Sequence, residues 1–548
     1  MSGFHLSNNH GMQGMLKEGH KLISGLEEAV LKNIEACQQV SKIASSSLGP
    51  NGMNKMVINH LDKLFVTNDA GTILQELEVQ HPAAKVLVLA AKAQQEEIGD
   101  AANLVVTFAG ELLGGAEQLI RTGLHPSEIV SGYAKASVKC LEILDKELVV
   151  LGSDAMDVRD QDQAVHRMKS AVASKQYGQE DVLCPLIADA CIQVCPKNPM
   201  NFNVDNVRVV KILGGGINDS QVVRGMVLKS ESVGTIKVAK NAKVAVFGGG
   251  VDTSATETKG TVLINSGSEL EQYAKTEEAK VEELIKSIAA SGATVIVSGG
   301  AVGEMALHFC ERYKLMVIKI ASKFELRRFC RTTGAVSLVK LQQPTADELG
   351  YADSIVVEEL GGTRVTIVKN ETGGNLVATI VLRGSTDSLL DDVERAVDDG
   401  VNSYKVICRD CRLVPGAGST EIELAKRLKE YGAKEAGLVQ YAIDKFADSL
   451  EVVPRILAEN AGLNSTDTIS SLYAAHAAGR TSAGVDIETG AIIDMDHDTG
   501  VWDLFTPKYW ALKLATDASC TVLRVDQIIM SKQAGGPKPR AGDGGDED

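Results

Sequence analysis

Helical periodicity at both ends of this chain encloses a middle that alternates strands with helices, and that change of period narrows the available folds more than any other feature. Gly25 to Ser45 carries Leu26, Val30, Ile34 and Cys37 along one stripe, the spacing of an amphipathic helix. Ser47-Leu48-Gly49-Pro50-Asn51-Gly52 is a turn cluster. Lys55–Asn59 and Leu64–Thr67 read as the two short strands of a hairpin. Pro82 opens a helix that runs through Ala83 to Ile98 and ends at Gly99, and the next helix starts near Asn103. In the middle, Val207–Leu213, Lys243–Phe247, Thr294–Ser298 and Leu315–Ile320 read as strands, with a helix marked by Val281, Leu284, Ile285 and Ile288. Such alternation predicts an α/β unit. Helical spacing then returns, Thr521–Val525 is the last strand-like run, and Gly535 to Asp548 has the composition of a disordered tail. Two topologies fit. Either the two ends form one domain with the middle threaded into it, or three domains follow one another like beads.

At 548 residues the chain exceeds one ordinary core. It is 44% hydrophobic but only 4% aromatic, so its cores are built from Ala, Val, Ile and Leu. The net charge of −16 argues against a nucleic-acid face, which is basic. No apolar run reaches the ~18 residues of a membrane span. Met1-Ser2-Gly3-Phe4-His5 lacks a basic-then-apolar signal, so a cytoplasmic location is expected, with no membrane or nucleic-acid partner. The ten cysteines form no framework and read as reduced thiols. Cys408-x-x-Cys411 has no second Cys or His pair to complete a metal site.

Two stretches carry chemistry. Val66-Thr67-Asn68-Asp69-Ala70-Gly71-Thr72-Ile73-Leu74 and Gly99-Asp100-Ala101-Ala102-Asn103 each set one Asp beside small residues at the edge of an apolar segment. Such an Asp suits a metal-phosphate site, where the carboxylate holds Mg²⁺ and free N–H groups meet phosphate oxygens. It equally suits a helix N-cap. There is no G-x-x-x-x-G-K-[ST] loop, no H-E-x-x-H and no G-x-S-x-G. Gly214–Gly216 and Gly248–Gly250 follow strands without dinucleotide-site spacing and read as turns.

Taken in order, eight segments resemble the group II chaperonins. Ser47 to Met53 stands for T-L-G-P-x-G-M, Val66 to Leu74 for V-T-N-D-G-A-T-I-L, His81 to Lys85 for H-P-A-A-K, and Gly99 to Asn103 for G-D-G-T-T. Ser174-Lys175 matches S-K, Asp398 to Val401 matches H-D-A-L, Gly416 to Gly418 matches G-G-G, and Leu523 to Ile528 matches an L-R-I-D-D-V-I type strand. The resemblance runs from about residue 15 to 533. Gly49 to His60, Ser174 to Gly178 and Arg524 to Pro537 are further similar to one subunit type of the eukaryotic cytosolic chaperonin.

That resemblance implies a three-domain chaperonin fold: a mainly α equatorial domain plus an α/β apical domain, with the intermediate and apical domains inserted. It implies an equatorial ATP-binding domain at 1–150 and 410–548, an intermediate hinge domain at 151–221 and 378–409, and an apical substrate-binding domain at 222–377. The implied function is ATP-dependent protein folding, with ATP/ADP and Mg²⁺ as cofactors. The implied partners are seven paralogous subunits in a double ring of eight-membered rings, and unfolded client proteins. Asp100 corresponds to the Mg²⁺ ligand, and Asp69 and Asp399 to the carboxylates that position the attacking water. Leu48, Gly49 and Pro50 would wall the nucleotide, Lys175 would reach its γ-phosphate side, and Ala101, Ala102 and Asn103 would form the phosphate loop. Gly416, Ala417 and Gly418 would lie against ribose and base, and Asp503 would address the nucleoside. The client-facing helix corresponds to Val302 to Tyr313, with Met305, Leu307 and Phe309 as its apolar face; Glu304, His308, Glu311 and Arg312 are polar, and Ala306 and Cys310 are core. Val251 to Ala274 would build the lid protrusion. Three departures bear on activity: Gly99-Asp100-Ala101-Ala102-Asn103 where the family has G-D-G-T-T, Gly416-Ala417-Gly418 where it has G-G-G, and Ala70-Gly71 with the small pair exchanged. A ring-completing, nucleotide-binding subunit with weak or no hydrolysis is therefore the alternative function.

Overall fold

The computed structural model describes residues 21–24, 26–59, 61–150, 157–252, 266–370, 377–495 and 500–530. The chain opens with strand β1 (Lys21–Ser24), helix α1 (Leu26–Ser45), the hairpin β2 (Lys55–Ile58) and β3 (Leu64–Thr67), and helices α2 (Ala70–Glu76), α3 (Pro82–Glu97), α4 (Ala102–Arg121) and α5 (Pro126–Glu147). Helices α6 (Gln161–Ala173) and α7 (Glu180–Val194) lead into β4 (Val207–Leu213), β5 (Gln221–Leu228), β6 (Val238–Phe247), α8 (Gly267–Ala290), β7 (Val295–Ser298), α9 (Glu304–Arg312), β8 (Met316–Lys319), α10 (Lys323–Thr333) and β9 (Ser337–Leu338). Strands β10 (Gly350–Leu360), β11 (Thr363–Lys369) and β12 (Ala378–Gly384) and helix α11 (Asp387–Arg409) complete the middle. The last part holds β13 (Leu413–Pro415), α12 (Ser419–Gly432), α13 (Val439–Ser449), α14 (Val452–Asn460), α15 (Ser465–Ala477), β14 (Ala483–Val485), β15 (Ile492–Asp494), β16 (Trp502–Leu504), α16 (Phe505–Leu523) and β17 (Gln527–Met530).

The two chain ends share one helical core. Val30, Leu87, Phe108 and Tyr133 from the first part pack with Leu428, Phe446 and Leu512 from the last. Phe446 meets Phe108 edge to face at 5.5 Å and Tyr133 at 5.8 Å, a geometry aromatic rings prefer. Outside this core, β1 pairs antiparallel with β17.

The middle builds a nine-stranded sheet in the order β4-β12-β5-β11-β10-β6-β7-β8, with β9 beside β6. Strands β6, β7 and β8 run parallel and alternate strictly between two apolar layers. Val244, Val246, Val295, Val297, Met316 and Ile318 face α10 with Leu326 and Phe329. Ala245, Phe247, Ile296 and Val317 face α8 and α9. A strand covered on both sides reads as a continuous apolar run, which is why these three were legible. Strands β10 and β11 are antiparallel and turn through Gly361 (φ 57) and Gly362 (φ 78), left-handed positions suited to glycine. Strand β5 pairs with both β11 and β12, so the sheet continues across residues 221–222 and 377–378. Beyond β4 and β12, helices α6, α7 and α11 pack Met168, Ile187, Val397 and Tyr404 into a further core.

Two expectations are corrected here. Thr521–Val525 is not a strand: residues to Leu523 finish α16, and the strand is Gln527–Met530. Val522 and Leu523 are buried in the helical core, and tertiary packing overrides their β propensity. Phe309 is not on an exposed face, being only 2% exposed between α9 and the sheet. Of the expected lid protrusion Val251 to Ala274, residues 253–265 lie outside the described residues, as does the tail from Gly535. None of the ten cysteines is joined in a disulfide. Among the described residues, no helix is long and apolar enough to cross a membrane.

Candidate functional site

Asp69 joins the two readings its sequence left open. It is the N-cap of α2, and its Oδ2 accepts from the Thr72 N–H at 2.9 Å and the Thr72 hydroxyl at 2.7 Å. Its Oδ1 is left for another partner and accepts from Lys175 Nζ at 2.7 Å. Asp100 is not a cap. The N-cap of α4 is Ala101, in the left-handed region at φ 64, and Asp100 Oδ1 accepts from the Ala101 N–H at 2.6 Å. Gly99 (φ 87) turns the chain here, and a Cβ on it would collide with Asn402 of α11 at 2.2 Å. Gln94 ties the joint down, donating to the Asp100 carbonyl at 2.9 Å and to the Pro507 carbonyl at 3.1 Å.

Helix α11 brings in Asp399, whose Oδ2 lies 3.4 Å from Lys175 Nζ and whose Oδ1 accepts from Gln95 at 3.3 Å. Lys175 follows α6 in a loop fastened by Asn68, whose amide donates to the carbonyls of Ser174 and Lys175, and by Gln176, which donates to Asp392 at 2.6 Å. Segments far apart in sequence thus place one ammonium between two aspartates, with side chains only 13%, 6% and 4% exposed for Lys175, Asp69 and Asp399.

The electrostatics divide unevenly. Burial pushes the Asp69 carboxyl up, but Lys175 and Thr72 override it and hold it well below the usual carboxylate range. Burial drives Asp399 well above that range, against the attraction of Lys175 and with repulsion from Asp69 and Asp100. Burial raises Asp100 too, with Lys175 opposing and Asp503 and Asp69 adding to the rise. Burial alone would lower Lys175; Asp69 and Asp399 raise it above its usual value. Three aspartates with one lysine leave an excess of negative charge that a bound cation would offset. Among the described residues no group of three or more His, Cys, Asp or Glu is arranged to hold a metal ion. A cation here would draw on Asp100 and on oxygens of a ligand, the pattern of Mg²⁺ with phosphates.

Helix α14 gathers the remaining candidates. Asn460 donates to the Leu48 carbonyl at 2.8 Å. A Cβ on Gly49 (φ 82) would strike Leu457 at 2.5 Å, and one on Gly418 (φ 78) would strike Pro454 at 2.7 Å. Pro50 follows in the same turn, which closes with the Gly52 N–H donating to the Gly49 carbonyl. Ala417, between its two glycines, is left-handed at φ 54. Gly416 donates its N–H to the Val501 carbonyl at 2.8 Å, and a Cβ on it would stand 3.3 Å from Asp503 Cγ. Asp503 itself pairs with Lys508 at 2.9 Å.

Two members of the expected phosphate loop are committed elsewhere. The Ala102 side chain belongs to the helical core. The Asn103 amide donates to the Ser47 hydroxyl at 3.0 Å and accepts from Thr107 at 2.9 Å. Sequence reasoning missed Gln95, Leu457, Asn460 and Lys508, which support the site without lying in its loops, and gave no role to Asn68, which lies in one. On α9, Met305 is 44% exposed and Glu304 and His308 are exposed. Glu311 accepts from the Thr235 N–H at 2.8 Å, and Arg312 pairs with Glu282 at 3.0 Å.

The sequence profile of the TCP-1/cpn60 chaperonin family matches residues 40–533. The chain is 68% identical over 543 residues to the T-complex protein 1 subunit theta of Arabidopsis thaliana, covering 98% of each chain. It is 52% identical over 540 residues to the protein of that name from Bos taurus, again covering 98% of each. Against that of Dictyostelium discoideum it is 51% identical over 532 residues, 96% of this chain and 98% of the relative.

Proposed function

The chain belongs to the TCP-1/cpn60 chaperonin family, and from that premise we propose that it is an ATP-hydrolysing subunit of a hetero-oligomeric chaperonin that folds client proteins in the cytoplasm. The observation that carries the reading is the buried Lys175 held between Asp69 and Asp399 within charge range of Asp100. Hydrolysis of a γ-phosphate is mainly positioning and charge neutralisation, and this cluster has the groups for both. Bound ATP and Mg²⁺ would supply the phosphoryl group and its charge compensation, with Asp100 as the protein's ligand to the metal. Asp69, kept ionised, and Asp399 would orient the attacking water. Lys175 would meet the terminal phosphate and, because it lies in the loop after α6, tie the nucleotide to the middle of the chain. At Gly49 and Gly416 a Cβ would meet Leu457 and Val501, so glycine is what lets these two loops pack closely beside the proposed nucleotide site. The relatives are named as subunits of a T-complex protein, which supports assembly with other subunits; seven paralogues in a double ring of eight-membered rings is the arrangement proposed for it.

A second reading, that this subunit binds nucleotide while hydrolysing it weakly, is favoured by one observation. Ala101 and Ala417 stand where the family has glycine, and both adopt positive φ, at 64° and 54°. A left-handed residue with a Cβ costs roughly 1–2 kcal/mol, so both loops carry strain at the site. Photolabelling of the assembled particle with 8-azido-ATP, read subunit by subunit, tests the nucleotide site. Label that requires Mg²⁺ and is displaced by ATP supports it, and absence of label from this subunit refutes it.

A further inference from the structure

Behind the Asp503 carboxylate lies a buried ammonium that the proposed hydrolysis does not use. Lys508, near the start of α16, has its Nζ 2.8 Å from Glu421 Oε1 and 2.9 Å from Asp503 Oδ2. A cation near a helix N-terminus opposes the helix dipole, so α16 gains nothing locally from a lysine there. The side chains become more exposed along the row, from 2% for Glu421 through 6% for Lys508 to 32% for Asp503. Asp503 is therefore the end that meets a ligand, and the other two stand behind it. Glu421 lies in the first turn of α12, directly after Gly416-Ala417-Gly418, and its Oε2 is buried without a hydrogen-bond partner. Buried polar atoms left unpaired are uncommon and call for an explanation. Strand pairing sets Asp503 opposite Val414, and its carboxylate lies against Gly416. With Oδ2 taken by Lys508, Oδ1 remains as an acceptor on the exposed end.

We propose that Lys508 and Glu421 are positioning residues that fix the Asp503 carboxylate to recognise the hydroxyls of a nucleotide's ribose; the inference rests on the nucleotide site proposed above. A carboxylate accepts only, and a vicinal diol offers two donors. Without the ammonium, Asp503 loses its anchor and faces the charge of Asp100, which already senses it. Loss of Lys508 then removes the benefit of the hydroxyls specifically, leaving phosphate and base contacts in place.

The test compares 8-azido-ATP with its 2′,3′-dideoxy form on the assembled complex, with label read subunit by subunit. Lys508→Met is expected to weaken the ribose form about tenfold and the dideoxy form less than about twofold, the scale of one charged hydrogen bond. Lys508→Arg, which keeps the charge, retains more discrimination than Lys508→Met. Glu421→Gln, nearly isosteric, reduces discrimination in the same direction and serves if Lys508→Met does not enter the complex. Equal loss for both forms, or no change in either, overturns the inference and leaves the nucleotide site standing. A wild-type chain labelled by neither form overturns the nucleotide site and this inference with it.

Discussion

Lys175 concentrates the electrostatics of the site in one side chain. Its loss leaves Asp69 and Asp399 buried without a counter-charge, and breaking a buried pair costs about 3–5 kcal/mol. The sign with pH follows from Asp69. Its folded carboxyl is held below its unfolded value, so the stability it contributes is full above the ordinary carboxylate range, about pH 4, and is lost as pH falls towards the depressed value. Asp399, held above that range by burial, slopes the other way, with stability lost as pH rises through its raised pKa. Lys175→Met should therefore lower stability by about 3–5 kcal/mol at pH 7, and the gap from wild type should narrow as pH drops below about 4; urea denaturation across pH measures it, and a gap independent of pH contradicts it. The left-handed alanines give a second expectation. Ala101→Gly with Ala417→Gly relieves roughly 1 kcal/mol at each site, so nucleotide occupancy of this subunit should rise by up to about tenfold; unchanged occupancy shows that the strain does not reach the ligand. Asp69 and Asp100 were legible because an Asp beside small residues at a helix edge is a local pattern, whereas Asp399, inside α11, was reached only through the family resemblance. Whether each one caps a helix was not legible, because that depends on φ at the next residue and on what the second oxygen finds. Lys508 left no mark for the same reason: its partners come from α12 and β16.

At the scale of the element, helix α9 shows where periodicity stops being informative. Its nine residues have apolar side chains on more than one face, and only packing decides which are core. Phe309 and Cys310 join Ile285 and Ile288 of α8, whereas Met305 projects outward. Phe309→Ala should cost about 3–5 kcal/mol, the range for deleting a buried ring. Glu304→Lys, which reverses the charge in the first turn of α9, should cost about 1 kcal/mol while changing which client segments cross-link to this helix. Glu311 is the wrong place for that test, because its carboxylate holds the Thr235 N–H. If Glu304→Lys leaves cross-linking unchanged, clients do not use this face. The strands β6, β7 and β8 were read correctly because burial on both faces writes a solid apolar run. Strands β10 and β11 were not singled out, since Tyr351, Glu358 and Glu359 interrupt any such run.

At the scale of the whole molecule, change of period along the chain left insertion and three beads equally open, and the edge-to-face contacts of Phe446 with Phe108 and Tyr133 join the two ends in one core. No local pattern could reveal a contact between residues this far apart. The hairpin β2–β3 projects Met56 at 69% exposure, Ile58 at 64% and Leu61 at 74%, an apolar patch of the kind that marks a protein interface. Met56→Lys with Ile58→Lys should keep this chain out of the high-mass complex while leaving its own fold within about 0.5 kcal/mol; native mass measures it, and normal incorporation would show that the hairpin is not an interface. The central claim is that the cluster around Lys175 turns over nucleotide inside such a complex. Its most direct test is Asp399→Asn in the assembled particle, with bound nucleotide and released phosphate resolved by subunit. ATP should be retained, with phosphate release from this subunit lowered by at least about 10²-fold, the scale of a positioned carboxylate acting on its water; release at the wild-type rate, or loss of ATP binding in place of cleavage, would contradict that role.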